Sequence, residues 1–320
     1  MGRYILRRLL QAIPLLILIS IFMFLLIHAL PGGPDAVIFN PHLDAAGRAA
    51  LRARFGLDQP LPIQYVKWLG NTLTGNFGFS FATSQPVSDI LSQRFPATLE
   101  LFVSALLIAL VLAIFLGVMS AVRQNSAVDY VLTTLSYFGI AMPAFLLGLF
   151  LQDIFGVQLH LLPVSGTSTL GVTYDAFNSV YDRVLHLILP VIALATLFIA
   201  GWSRYMRSST IDVLKQDYMR TARAKGVSSR DMLVRHALRN AIIPLITVVA
   251  IEFGSVAGGA TITEGIFNWP GMGSLFLDSL DKRDFPVLLS MLIISAVFVI
   301  LFNLIADILY AVMDPRIRYS

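Results

Sequence analysis

Cysteine is absent from this 320-residue chain, which removes disulfides, thiolate metal sites and thiol catalysis together. Charge is scarce too. Asp, Glu, Lys and Arg make up 13% of the residues, where a soluble globular domain carries about 25%. No Gly-rich phosphate loop ending in Gly-Lys-Ser/Thr occurs, so this chain lacks the usual means of holding and hydrolysing ATP. The five histidines (28, 42, 160, 186 and 236) show no ligand spacing, and no metal site is expected. No nucleophile, base and metal ligand converge as a protease or transferase would require, so the chain does not read as an enzyme.

Apolar residues are what the chain has in abundance, at 57% with a mean hydropathy of +0.77. They fall in blocks long enough to cross a bilayer, which takes about 20 residues of helix. Six segments qualify, near Leu9–Leu30, Ala97–Val122, Tyr130–Phe155, Val184–Ser203, Ala241–Ile262 and Val287–Val312. The expected fold is an all-α integral membrane protein with six transmembrane helices. Arg3, Arg7 and Arg8 precede the first apolar run as in a secretory signal. That run is too long for a signal core and no small-residue cleavage site follows, so it reads as a retained span.

Orientation follows from Lys and Arg, which favour the cytoplasmic side. With both termini in the cytoplasm, the inner segments hold 15 of the 23 basic residues and the outer segments eight. The net charge of +4 is explained by this bias, and no nucleic-acid partner is needed. Two outer regions are long. Residues 31–96 contain an expected amphipathic helix around Leu43–Phe55 and the stretch GNFGFSF (Gly75–Phe81), and residues 156–183 are polar and turn-rich. Either a folded cap or a docking surface fits them.

The polar segment 204–240 carries nine of the basic residues: Arg204, Arg207, Lys215, Arg220, Arg223, Lys225, Arg230, Arg235 and Arg239. A helix is expected to continue from the fourth span to about Lys225 and to stop at Gly226, whose missing Cβ tolerates the left-handed conformation. Ser228 then stands three residues before Asp231, a capping-box spacing with Asp in place of Glu or Gln. Met232, Leu233, His236 and Ala237 are expected on one face of the next helix, and Pro244 in the first turn of the fifth span. Small residues beside the turn (Thr221, Ala222, Ala224) would let a partner approach the backbone. Positive-inside bias alone explains the charge, but not the caps or the small residues.

Ionisable groups within a span are costly and are usually paired or functional. Glu252 lies mid-span beside Gly254, Gly258 and Gly259. It could line a path for solute or make a structural hydrogen bond. Asp307, one turn after Asn303, suits pairing with a nearby Arg, and His28 suits the headgroup region. Pro143 is expected to kink the third span. Glu264, Trp269 and Pro270 lie in TEGIFNWPGMG (263–273), where Trp269 reads equally as an interfacial anchor or as part of an outer gate or re-entrant turn.

Several motifs, in order, resemble the dipeptide/oligopeptide/nickel branch of ABC-importer permeases. They are RYILRRLL, GLDQPLPIQY (56–65), GNFGFS (75–80), PATLEL (96–101), LPVSG (162–166), RTARAKG (220–226), HALRNAIIP (236–244), TEGIFNWPGMG and DPRIR (314–318). The general signature of such permeases, Glu-Ala-Ala followed after three residues by Gly, is held here as Arg220, Thr221, Ala222 and Gly226. PGGPD (31–35) stands where the family more often has PGDP. The resemblance implies a type I (MetI-like) permease core at residues 96–320, preceded by a first part at 1–95. It implies one membrane subunit of an importer in a bacterial or archaeal cytoplasmic membrane, most readily for di- or oligopeptides. A second homologous permease, two cytoplasmic ATPase subunits carrying ATP and Mg, and an extracytoplasmic solute-binding protein would be its partners, with no cofactor on this chain. Arg220, Thr221, Ala222, Arg223, Ala224, Lys225 and Gly226 would form the coupling loop to an ATPase. The alternative is a self-contained proton-coupled transporter using Glu252 and Asp307, although no inverted repeat, common in that class, is evident.

Overall fold

The computed structural model describes residues 2–29, 46, 52 and 56–313. The expected helix at Leu43–Phe55, the PGGPD segment and DPRIR lie outside them, apart from Ala46 and Arg52. The described residues are mostly helical, in the order α1 (Gly2–Ala29), α2 (Leu61–Leu73), α3 (Val87–Val122), α4 (Ala127–Ala141), α5 (Ala144–Leu151), α6 (Ala176–Leu214), α7 (Asp217–Ala224), α8 (Ser229–Ala241), α9 (Ile243–Gly254), α10 (Thr261–Ile266), α11 (Met272–Asp281) and α12 (Phe285–Met313). A π-helical stretch, Gln152–Gln158, extends α5, and a 3-10 turn, Ser255–Gly258, extends α9.

Four helices among the described residues are each long and apolar enough to cross a membrane: α1, α3, α6 and α12. The number rises to six if each of two bent pairs counts as one span. One pair is α4 with α5 and its extension, bent by 101°. Pro143 therefore does more than kink the third span. Met142 is extended (ψ 119) because a residue before proline avoids the helical region, and Pro143, also extended (ψ 132), stands at the N-cap of α5. The other pair, α8 with α9, bends by 44° just before Pro244. Large apolar side chains on α1 and α3, among them Leu18, Phe22, Val111 and Phe115, are exposed, as lipid-facing surface should be.

The chain folds as two compact units. In the first (Met1–Thr98, Ser255–Thr261, Pro270–Leu301), Phe24 and Ile27 pack with Phe285, Leu288 and Leu289, and Tyr65 and Trp68 lie against them. Val87, Ile90 and Leu91 form a second cluster there with Met272, Leu275, Val287 and Met291. His28 is built into this unit. One ring nitrogen lies 2.8 Å from the Phe24 carbonyl and the other 3.2 Å from Gln64 Oε1, so a headgroup contact is not what occupies it. The GNFGFSF stretch is pinned by buried Asp284, whose carboxylate accepts bonds from the Ser80 hydroxyl and from the Phe81 N–H at 2.9 Å.

The second unit (Leu99–Gly254, Ile262–Trp269, Phe302–Ser320) contains α4, α6 and the basic hairpin. Helix α6 runs 39 residues without a break, although Pro190 lies inside it. It stops earlier than expected. At Lys215 and Gln216 the backbone leaves the helix (Gln216 ψ 151), so α7 is a separate element and not a continuation of the fourth span.

Candidate functional site

Helix α7 ends in the manner its sequence allows. Gly226 takes φ +76; its N–H bonds the Arg223 carbonyl at 3.0 Å, and the Val227 N–H bonds that of Ala222 at 3.2 Å. These two bonds define a Schellman stop, with Val227 and Ala222 as its hydrophobic contact. Ser228 then caps α8. Its hydroxyl oxygen accepts from the Asp231 N–H at 3.1 Å and its O–H donates to the Asp231 carboxylate at 2.8 Å. The shorter Asp side chain bonds the capping hydroxyl.

Helix α8 is π-helical over Met232–Ala237. That geometry aligns residues five apart. Met232 and Ala237 therefore share a face and bury themselves with Met219 of α7, while Val213 and Leu214 at the end of α6 pack alongside. His236, expected on the packed face, is turned out and exposed, because the wider helix shifts the register. The hairpin is thus held from beneath by a small apolar cluster. Arg220, Thr221, Arg223, Ala224, Lys225 and Gly226 are exposed, and Ala222 is half-buried. The ion pairs on this surface, Arg220–Asp217 at 3.6 Å and Arg235–Asp231 at 3.4 Å, are also exposed.

Behind the hairpin stands a constellation the sequence reading did not single out. Arg207, counted there among the loop cations, forks onto Asp129 with two bonds of 2.7 Å. Asp129 is buried and also accepts from the Ser120 hydroxyl and, at 2.9 Å, from the Asn125 N–H. Arg207 Nε donates to Ser120 as well, at 3.1 Å. Helices α3, α4 and α6 are joined through one carboxylate. The legible signal is local: Ser126 precedes Asp129 by three residues and caps α4, at the edge of an apolar run.

Trp269 is fully buried, as are Phe267 and Glu264, so the interfacial-anchor reading is set aside. The turn is closed by the Trp269 N–H on the Glu264 carbonyl at 2.8 Å. LPVSG latches onto it through the Gly166 N–H and the Phe267 carbonyl, 2.8 Å apart, and Gln152 Nε2 bridges the carbonyls of Val164 (2.7 Å) and Ile266 (2.9 Å). The Arg183 guanidinium lies 5.6 Å from the Trp269 ring centre while Glu100 holds it with bonds of 2.5–2.9 Å. Pro270 is half-buried and leads through Gly271 into α11.

Of the expected path residues, Glu252 and Asp307 are each half-buried. Gly258 is half-buried, with space for a Cβ 3.7 Å from Ser295 Oγ. Gly259 has φ +76, and a Cβ there would lie 2.2 Å from the Gly273 nitrogen. It serves a close backbone contact with the start of α11. Among the described residues no group of three or more His, Asp or Glu is placed to hold a metal ion.

Residues 113–319 match the family described as "Binding-protein-dependent transport system inner membrane component". Residues 1–102 match "Binding-prot-dependent transport system membrane comp, N-term". The chain belongs to this family of inner-membrane transport components. Across all of both chains it is 45% identical to the oligopeptide transport system permease protein AppB of Bacillus subtilis and 41% identical to the glutathione transport system permease protein GsiC of Salmonella choleraesuis. It is also 41% identical, over 319 residues, to the probable peptide ABC transporter permease protein y4tP of Sinorhizobium fredii. The chain is a multi-pass permease subunit of a binding-protein-dependent ABC importer in the cytoplasmic membrane, and it works with an ATPase and a binding protein. The self-contained, proton-driven alternative finds no support.

Proposed function

We propose that this chain forms half of the translocation path of a di- or oligopeptide importer, with residues 220–226 seated on a cytoplasmic ATPase. The observation that carries the proposal is the hairpin itself: an eight-residue helix propped from beneath by Met219 and ended sharply at Gly226, with its motif residues exposed apart from half-buried Ala222. Substrate class rests on the relatives, whose names specify oligopeptide, glutathione and peptide transport. The remaining half of the path would be a second, homologous permease, with two ATPase subunits beneath carrying ATP and Mg, and no catalysis on this chain.

In this reading the two bent pairs each count as one span, giving six, with both termini cytoplasmic. A first part at 1–95 and a five-helix core at 96–320 are supported by the two family matches, which meet between residues 102 and 113. Glu252, Gly258 and Gly259 would lie along or beside the path, and Glu264, Trp269 and Pro270 would form an outer gate or turn. Because the chain has no cysteine, single introduced cysteines report sidedness without background. Cysteines at Arg220 and Arg223 should react with an impermeant thiol reagent only from the cytoplasmic side.

The deciding experiment purifies the tagged chain from its native membranes in mild detergent. An ATPase, a related permease and a binding protein carrying a peptide should accompany it. A partnerless chain that still moves solute in liposomes would overturn the proposal.

A further inference from the structure

Helix α7 is severed from α6 at Lys215–Gln216, so a push on α7 does not pass into α6 along a continuous helix and reaches it through side chains. The apolar cluster of Met219, Met232 and Ala237 passes it to Val213 and Leu214, the last residues of α6. Seven residues upstream, about 10 Å along the helix at 1.5 Å per residue, Arg207 forks onto Asp129 of α4 and touches Ser120 of α3. Elsewhere α4 meets α6 through small groups and through the Arg204 guanidinium, 4.5 Å from the centre of the Tyr137 ring. Gly139 meets Ala200, and the Ser136 and Ser203 hydroxyls bond at 3.0 Å. Small, smooth surfaces let helices approach closely but do not fix their register. A bidentate guanidinium–carboxylate pair does, since it demands one geometry.

The joint is also tight. The cavity beside it, lined by Ser120, Thr133, Ser136, Ser203, Arg204 and Arg207 among others, measures about 10 Å³, the lower limit for a single water. It is a packed contact, too small to pass solute. Helix α4 then leads into the 101° bend, beyond which Gly148 of α5 lies against Ile266 and Phe267 of the Trp269 turn.

We propose that Asp129 and Arg207 are a positioning pair that makes α4 move with α6, so that displacement of α7 is transmitted to the bent α4–α5 segment instead of being lost as sliding. The inference rests on the reading of α7 as the contact with the ATPase. The pair touches no substrate. It sets whether ATP hydrolysis does transport.

The test uses the whole importer, purified with its ATPases and binding protein and reconstituted in liposomes. Arg207→Lys keeps the charge and loses the fork; Asp129→Asn keeps the shape and loses the charge. Peptide transported per ATP hydrolysed should fall at least tenfold in Asp129→Asn and several-fold in Arg207→Lys, with ATPases retained and hydrolysis continuing. A second variant carries Ser136→Cys and Ser203→Cys in the Asp129→Asn background. Oxidising the two thiols with diamide joins α4 to α6 by a disulfide. Transport per ATP should recover on oxidation and fall again on reduction. An unchanged ratio in the single variants, a loss that only tracks the amount of folded complex, or no recovery on cross-linking would each overturn the proposal. Failure of the underlying reading looks different: Gly226→Val would then leave both ATPase retention and uptake untouched.

Discussion

Gly226 and Gly259 share a backbone angle of φ +76 and sit in opposite surroundings. Around Gly226 a Cβ would meet nothing within 4 Å; around Gly259 it would lie 2.2 Å from one backbone atom and 2.7 Å from another. The first glycine is there for its conformation alone and stands on an exposed turn. The second also lets two backbones touch. The same contrast separates the wider regions. The hairpin 217–237 keeps its chemistry on the outside and only Met219, Met232 and Ala237 buried, whereas the 263–269 turn buries Thr263, Glu264, Phe267 and Trp269. A surface proposed to meet a partner can be thin beneath and specific above. A turn that must hold its own shape is packed and latched.

Substitutions can break that comparison. Gly259→Ala adds a Cβ that must push backbone aside. Overpacking costs about 1–3 kcal/mol and the left-handed angle about 1–2 kcal/mol more, so thermal unfolding in detergent should show a loss as large as that of emptying a buried aromatic site. Trp269→Ala empties a fully buried site and should cost about 3–5 kcal/mol, with lower yield from membranes. Its loss also strips the ring from Arg183, whose pairing with Glu100 remains. Gly226→Ala should cost only the angle, about 1–2 kcal/mol. Gly226→Val, whose β-branch resists the turn further, should leave the protein in the membrane and cut uptake at least tenfold. Uptake at the wild-type level with normal expression would remove the coupling role from this loop. Ser228→Ala removes a helix cap worth about 1 kcal/mol, read as a modest shift in unfolding. Arg235→Ala breaks an exposed pair and should leave stability unchanged within error. A marked loss there would mean the hairpin's surface is structural after all.

Glu252→Gln sharpens the other half of the comparison. A residue on the path should change uptake and its peptide preference while the ATPases stay bound. Unchanged uptake would assign Glu252 to packing.

Much of the hairpin was legible because its signals are local. A glycine stop, a Ser cap and a proline at the next helix start act within four or five residues, and each is found where expected. The break at Lys215–Gln216 was not legible. Nothing in that dipeptide forbids helix, and the α7 direction is set by the seat that Met219 finds among Met232, Ala237, Val213 and Leu214. The π-helical stretch of α8 escaped for the same reason, and with it the outward turn of His236. Trp269 could be read two ways because hydrophobicity alone does not say whether an indole faces lipid or protein.

Apolar length and Lys/Arg bias, acting residue by residue against water and lipid, determined from sequence that this is a multi-span membrane protein, and a string of motifs determined its family. Tertiary structure alone decided which charges meet. Arg207 reads as one more loop cation until α4 brings Asp129 to within 2.7 Å, and Arg183 reads as an outer charge until Glu100 and Trp269 are brought against it. The physical reason is range. Helix caps and spans are written in neighbouring residues, but an ion pair 78 positions apart in the chain exists only after packing has closed the distance.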